Sequence, residues 1–400
     1  MRDTNPWIDA AAASATLGVA RATLYAYVSR GAIRSQPRPG SPRERRYARE
    51  DVERLRRRAD ERRHPDKAAA QALQWGLPVL ESSLTLIDGA ALYYRGHDAI
   101  LLSRTRAVQE VASLLWTGRF DASGDRPADR AARIAAPVVR DLPFVPRAQA
   151  MLAAASAHDP HAGDLRPEAV VQTGWRILRQ LTEAAAGRGA HGATLDAALA
   201  RAWRVPVRDA DLLRAALILC ADHELNVSSF TARSVASAGS HPYAVVIAGL
   251  AALEGARHGG VAARVDAMLH ALRSAGRLPA ALIERQRRGD TIDGFGHPLY
   301  PGGDPRAIEL LGRLQARYPK SADLLFVRRV ADAARSILGE RPTIDFALAA
   351  AARVLRLPPG APLMLFALGR TIGWIGHAIE QYATGQLIRP RARYVGAVPV

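Results

Sequence analysis

The stretch Gly294-Phe295-Gly296-His297-Pro298-Leu299-Tyr300-Pro301-Gly302-Gly303-Asp304-Pro305-Arg306 sets a histidine and an arginine nine positions apart. Pro298, Pro301 and Pro305 remove backbone donors and Gly294 and Gly296 favour turns, so it reads as a loop, not a helix interior. One neutral proton donor, His297, and one fixed cation, Arg306, suit recognition of a small anionic carbonyl compound.

Five further segments carry candidate chemistry. Asp222-His223-Glu224-Leu225-Asn226-Val227-Ser228-Ser229 gathers polar groups at the end of an apolar run from Leu212 to Cys220. His223 there is either a dipole-compensating residue at a helix C-terminus or a ligand to substrate. A metal site is disfavoured, because no HExxH spacing or cysteine pair accompanies it. His258-Gly259-Gly260 precedes a helix read from Val261 to Leu272. A histidine at such a position stays neutral and is able to donate a hydrogen bond to a developing enolate, or it is simply a turn residue. Asp345, in the first turn of a helix after Arg341-Pro342-Thr343-Ile344, is either dipole-stabilised or a general base in a partly desolvated cleft. Arg370, amid the apolar run Gly369-Arg370-Thr371-Ile372-Gly373-Trp374-Ile375, must snorkel or meet an anion, because an unpaired buried guanidinium is costly. Arg389-Pro390-Arg391 forms a basic stop near the C-terminus.

The elements that must position these groups are mostly helical. Apolar helical periodicity runs through Val108–Leu115, Gln172–Ala185, Asp209–Ala221, Ala244–Leu253, Asp266–Ser274, Ala307–Arg317, Ala331–Leu338, Phe346–Leu355 and Leu363–Tyr382. Ala68–Trp75 also reads as helix. Leu77–Leu86 and Ala90–Tyr94 read as a short apolar entry with a turn at Asp88-Gly89. The 400 residues, 48% hydrophobic, suffice for two domains or one large domain with an appendage. A single cysteine, Cys220, excludes an internal disulfide and points to a reducing cytoplasm. No signal-peptide pattern opens the chain and no apolar run reaches bilayer length, so a soluble protein without membrane association is expected.

The formal charge is +17 and the cations are almost all arginine, Lys67 and Lys320 being the exceptions. Such a field favours polyanionic partners, coenzyme A among them. It is concentrated at the N-terminus, where residues 1–67 hold 16 Arg and Lys against nine Asp and Glu. There a helix read from Ile8 to Leu17, a break at Gly18 and a second helix to Ser29 precede a proline-rich hairpin or wing at 34–42. A helix from Glu50 to Arg63 follows. Arg21, Thr23, Tyr25, Tyr27 and Arg30, with Arg45 and Arg46 after the hairpin, are groups able to reach phosphates and base edges. The other reading is a solvated helical pair that mediates oligomer contacts.

Leu17 to Gly31, followed by Arg46-Tyr47 and Glu50-Asp51-Val52, resembles the winged helix-turn-helix of MerR-like and excisionase-like proteins, over about residues 1–66. From residue 67 to 400 the chain resembles the citrate synthase family. The match is carried, in order, by Ile87-Asp88-Gly89 with Tyr94-Arg95-Gly96-His97-Asp98, Ala221-Asp222-His223-Glu224-Leu225-Asn226, His258-Gly259-Gly260, Gly294 through Arg306, Ile344-Asp345-Phe346, Gly369 through Trp374, and Arg389-Pro390-Arg391. The resemblance implies a mainly helical fold with a large domain, an inserted small domain at roughly 262–368, and a homodimer. It implies condensation of acetyl-CoA with oxaloacetate, acetyl-CoA or propionyl-CoA being a co-substrate and no cofactor being tightly bound. Asp345 would be the general base, His258 the enolate stabiliser and His297 the general acid. Arg306, Arg370, Arg389 and His223 would hold oxaloacetate. The chain departs from the family in Val261-Ala262 after His258-Gly259-Gly260, in Ala347-Leu348-Ala349 after Asp345-Phe346, and in Pro298 after His297. These departures fit a slower enzyme or a different acyl partner, such as the propionyl-CoA of a 2-methylcitrate synthase. A metabolite-sensing, DNA-binding regulator is the reading from another class.

Overall fold

The computed structural model describes residues 5–63, 79–121, 141–187 and 194–397. The chain forms two compact units, Met1–Glu81 and Ser82–Val400. The boundary expected near residue 66, and the helix expected over 68–75, fall outside the described residues.

In the first unit, strands β1 (Trp7–Ile8), β2 (Ser35–Arg38) and β3 (Ser41–Ala48) form an antiparallel sheet in the order β1-β3-β2. Helices Ala10–Leu17, Arg21–Ser29 and Arg49–Arg63 accompany it. The first helix starts later than the sequence suggests. Ile8 is buried and pairs with Tyr47, and the Asp9 carboxylate accepts the Ala12 N–H at 2.8 Å, so the chain turns into helix only after Asp9. Gly18 ends that helix in the left-handed region (φ 64°), a conformation that favours glycine. Ile8, Ala13, Leu24, Ile33, Tyr47 and Val52 make a small core of its own. Buried Asp51 binds Arg34 at 2.8 Å and Arg54 at 2.7 Å, tying the start of the hairpin to the third helix.

The second unit opens on an antiparallel meander, β4 (Thr85–Asp88), β5 (Ala91–Tyr94) and β6 (His97–Asp98), with its turn at Asp88-Gly89 as expected. Helices form nearly all the rest. Ala361–Thr384 is the spine of this unit, buried on all sides from Ala361 to Ile379 apart from Leu363, as an all-round apolar helix must be. Helices Val108–Thr117, Pro167–Ala186, Ala210–Leu219, Val227–Ser237 and Pro242–Glu254 pack around it. Gly369 and Gly373, one helical turn apart, let the end of Ala210–Leu219 approach closely. A Cβ on Gly369 would stand 2.5 Å from the Leu217 carbonyl oxygen, and one on Gly373 2.5 Å from that of Ala221. This contact seats Arg370 beside the Cys220–His223 turn.

The helices read from periodicity are present. Helices Ala99–Thr105, Phe144–His158, Leu195–Ala202, Val227–Ser237 and Leu278–Arg287 are additional to them. Alanine, serine or arginine interrupts their apolar stripe, and packing or a cap decides them instead. Val227–Ser237, for example, starts where the Asn226 side chain accepts the N–H groups of Ser228 and Ser229, both at 3.1 Å.

Candidate active site

Five chain segments converge on one cluster. The loop at 294–297 lies antiparallel to 341–343: Gly296 N–H donates to the Arg341 carbonyl at 3.0 Å, and Thr343 N–H to the Gly294 carbonyl at 2.8 Å. Gly294 (φ 86°) permits this approach, because a Cβ there would press on Val265 and Phe346. The pairing brings His297 next to the helix Ile344–Val354, which begins with Asp345 in its first turn.

Asp304 locks the two sides together. Its carboxylate accepts Arg306 Nε at 2.9 Å and Nη2 at 2.8 Å, and also the Ile344 N–H at 3.0 Å. Both partners are buried. Burial works against the Arg306 charge, but the Asp304 carboxylate outweighs it and the guanidinium is held firmly protonated.

Arg370 is also buried, but unlike Arg306 it has no bound carboxylate. Its Nε donates to the Cys220 carbonyl at 3.0 Å, while Nη1 and Nη2 meet no acceptor among the described residues. Its guanidinium carbon lies 4.8 Å from the centre of the Phe366 ring. Burial pushes its pKa down, so the bare charge is unfavourable. The sequence offered snorkelling or an anion; at 1% exposure Arg370 does not snorkel.

Three neutral imidazoles surround these cations. His223 Nε2 bonds the Tyr300 hydroxyl at 2.9 Å, and its ring stands 5.1 Å from that of His297. Burial, then Arg306, Arg370 and His297, drive its pKa well below 6.5. A dipole-compensating role, which needs the charged imidazolium, is therefore excluded. His297 is pushed down to about 4 by burial and by Arg306. Its Nδ1 accepts the Leu299 N–H at 3.2 Å, so Nε2 carries the ring proton. His258 is pushed down to about 4 by burial and by Arg370, and its Nε2 lies 2.8 Å from Ser228 Oγ. The glycine after it serves packing rather than ligand approach, because a Cβ on Gly259 would stand 2.6 Å from the Leu253 carbonyl.

Asp345 departs from what the helix end alone would give. A helix N-terminus alone lowers a carboxyl pKa, yet this one is raised from 3.8 to about 6. Burial is the main cause; Asp304 adds to it, while Arg306 and Arg370 oppose it. The structure thus gathers His223, His258, His297, Arg306, Asp345 and Arg370 around two guanidinium groups. Arg389 stays apart, exposed on the C-terminal segment.

Tyr300, Asp304, Asp222 and His377 join this cluster without a signal of their own in the sequence. Asp222 and His377 are fully buried, with His377 Nε2 3.2 Å from Asp222 Oδ1, and Thr85 Oγ1 donates to Asp222 Oδ2 at 2.5 Å. Tyr300 and Asp304 sit inside the quoted loop, but only the fold shows what they touch.

The described fold and cluster can be set beside known proteins. The family described as "Citrate synthase, C-terminal domain" matches residues 72–391. This chain belongs to the citrate synthase family. It is a citrate-synthase-type condensing enzyme, an acyltransferase that converts the acyl group into alkyl on transfer. Among its relatives, the citrate synthase of Haloferax volcanii is 31% identical over 358 residues, covering 80% of this chain and 94% of the relative. A 2-methylcitrate synthase of Corynebacterium glutamicum is 32% identical over 183 residues, 45% of this chain and 48% of the relative. The crystal structure of citrate synthase from Thermotoga maritima matches with a TM-score of 0.69 at 26% identity, over 81% of this chain and 95% of that one. The ternary complex of the Thermoplasma acidophilum citrate synthase with carboxymethyl coenzyme A and oxaloacetate shares the fold, with a TM-score of 0.70 at 23% identity over 83% and 97% of the two chains.

The first unit presents its candidate nucleic-acid groups unevenly. Arg21, Thr23, Tyr25 and Arg30 are exposed along the helix Arg21–Ser29 and its end. Tyr27 is half-buried, with part of its side chain packed against the small core. Arg45 and Arg46 are neighbours on β3 and face opposite sides of the sheet, so they cannot serve one surface together. Arg45 is the exposed one, and with Arg21 and Tyr25 it acts electrostatically on the Tyr47 hydroxyl, placing it on the helix side.

Proposed function

We propose that this family member condenses a short acyl-CoA with oxaloacetate, releasing CoA after hydrolysis. The observation that carries the reading is Arg370, whose Nη1 and Nη2 are buried without acceptors beside three neutral imidazoles and a carboxyl with a raised pKa. A carboxylate of the 2-oxo acid supplies what Arg370 lacks. Asp345 takes a proton from the carbon alpha to the thioester, and the electron pair moves onto the thioester oxygen, where His258 donates a hydrogen bond. The alpha carbon then attacks the oxaloacetate carbonyl carbon, and His297 protonates the carbonyl oxygen from Nε2. Water cleaves the resulting thioester. Neutral imidazoles suit both donor roles, because each gives a proton or hydrogen bond without adding a third cation to the anionic substrate. His223 and Arg306 complete the oxaloacetate site. Residues 262–368 form the small domain whose closure shields the enolate from water.

Arg389 enters this scheme through a dimer. It lies among the exposed Leu387, Tyr394 and Val395, an apolar segment suited to cover by a second copy, whose site it would reach. Acetyl-CoA and propionyl-CoA differ by one methylene, worth only about 1–3 kcal/mol. The test is CoA release with acetyl-, propionyl- and butyryl-CoA, with and without oxaloacetate. Oxaloacetate-dependent release, lowered by about 10³-fold or more in Asp345→Asn, is expected. Release from none of the three overturns the reading.

A second reading concerns the first unit alone. Its helix–turn–helix followed by a hairpin, with Arg21, Thr23, Tyr25, Arg30 and Arg45 exposed, supports a winged helix-turn-helix that binds DNA and makes the protein a regulator as well as an enzyme. Gel retardation on the upstream region of its own gene tests it, and a chain lacking residues 1–67 that shifts equally would overturn it.

A further inference from the structure

The cluster holds a buried carboxylate that the mechanism does not use. Asp222 is fully buried and precedes His223 in the turn after the helix Ala210–Leu219. That turn already meets Arg370, whose Nε donates to the Cys220 carbonyl at 3.0 Å. Burial works against the Arg370 charge, and of the charges around it Asp222 acts on it most strongly. A carboxylate and an unpaired guanidinium that share a buried region gain by closing into an ion pair. Here they stay apart, and Nη1 and Nη2 of Arg370 meet no acceptor among the described residues.

The Asp222 carboxylate is seated elsewhere. Thr85 Oγ1 donates to its Oδ2 at 2.5 Å. His377 Nε2 lies 3.2 Å from Oδ1, a close contact that is not an aligned hydrogen bond. Gly373 makes the room, since a Cβ there would collide with Oδ1. Gly373 and His377 follow Arg370 on the spine helix, whereas helical side chains lean towards the N-terminus. The Arg370 guanidinium leans that way, over the Phe366 ring at 4.8 Å, so the seat and the guanidinium point to opposite ends of the helix. Thr85 reaches the seat from β4, where it pairs with Tyr94 of β5, and the Tyr94 hydroxyl donates to the Ile218 carbonyl at 3.0 Å.

We propose that Thr85 and His377 are positioning residues that hold the Asp222 carboxylate off Arg370, so that the guanidinium stays open to the 2-oxo acid. The proposal rests on the reading of Arg370 given above, and its test separates the two.

The affinity for oxaloacetate is read by isothermal titration of the substrate-free protein. Thr85→Val and His377→Leu free the carboxylate to compete for Arg370, and each should raise Kd about tenfold. Asp222→Asn should bind oxaloacetate at least as tightly as the wild type. Combined with Thr85→Val it should return Kd to within about twofold of the wild-type value, a rescue that a merely structural role would not give. Should His377→Leu fail to fold, Thr85→Val carries the test. Crystals of substrate-free Thr85→Val are expected to show Asp222 within hydrogen-bond distance of Arg370 Nη1 or Nη2. An unaltered Kd in Thr85→Val, a loss that Asp222→Asn does not rescue, or a carboxylate still over Gly373 overturns the proposal. Oxaloacetate that binds Arg370→Met as tightly as the wild type overturns the reading of Arg370 instead, and the crystal structure then decides alone whether the carboxylate is held off.

Discussion

Arg306 and Arg370 are buried guanidinium groups of one cluster, and they are built in opposite ways. Arg306 carries its own counterion: Asp304 takes two of its donors and at the same time caps the Ile344 N–H, so the pair is a strut between the loop and the Asp345 helix. Arg370 keeps only a carbonyl partner and leaves two nitrogens unpaired. A paired buried charge organises structure, whereas an unpaired one stores unfavourable energy that a ligand relieves. The difference separates a substrate contact braced by its own counterion from one left open, within a single site.

The sharpest way to break this comparison is to exchange the two arrangements. Asp304→Asn leaves Arg306 unneutralised and should cost about 3–5 kcal/mol of stability, measured by urea unfolding. Arg370→Met removes a charge that has no partner and should leave stability unchanged or raise it by about 1–3 kcal/mol, while oxaloacetate-dependent CoA release is lost. Equal destabilisation by the two substitutions would erase the distinction between them.

A ligand sharpens it next. Oxaloacetate at a hundredfold excess over its Kd should stabilise the wild type by about 2.7 kcal/mol in thermal unfolding. The increment should vanish in Arg370→Met.

The pH profile follows in size. Asp345 titrates at about 6 in the folded chain against 3.8 ordinarily, so the folded protein holds a proton that the unfolded chain releases between those values. Its ionisation therefore lowers stability as pH rises through that window, and the cost is absent below about pH 4. The opposite holds for activity, which needs the ionised base: kcat/KM should fall about tenfold per pH unit below 6. His258 and His297, both pushed down from 6.5 to about 4, contribute no limb near 6.5. Their buried neutral state costs stability only as pH falls from 6.5 towards 4. An activity limb centred on 6.5 that persists in Asp345→Glu would contradict this assignment.

The smallest effect lies in the first unit, where charge is exposed rather than buried. If its basic face contacts phosphates, Arg21→Ala and Arg45→Ala should each reduce the slope of log K against log salt by about one, and Arg46→Ala should leave it unchanged. Equal effects of Arg45 and Arg46 would mean that the two faces of β3 act alike.

Much of the fold could be read from the chain because long helices announce themselves by apolar spacing. Pro305–Arg317 and Ala361–Thr384 are of this kind. Phe144–His158 and Val227–Ser237 are not, since alanine and serine carry little periodic signal; the first lacks a side-chain cap and rests on packing, and the second starts at the Asn226 cap. In the first unit, a local pattern placed a helix from Ile8, but a long-range strand pair with Tyr47 claimed that residue.

The residue types needed for the chemistry, and their order along the chain, were set by the sequence itself: three histidines, an aspartate and the arginines stand in short polar or glycine-rich interruptions of apolar helices. What each of them is at neutral pH was decided only in three dimensions. Asp345 becomes a weaker acid, the imidazoles stay uncharged, and Arg306 keeps its charge beside a counterion that Arg370 lacks, because desolvation and Coulomb interactions depend on which distant segments close around a group. No spacing along a chain encodes that distance.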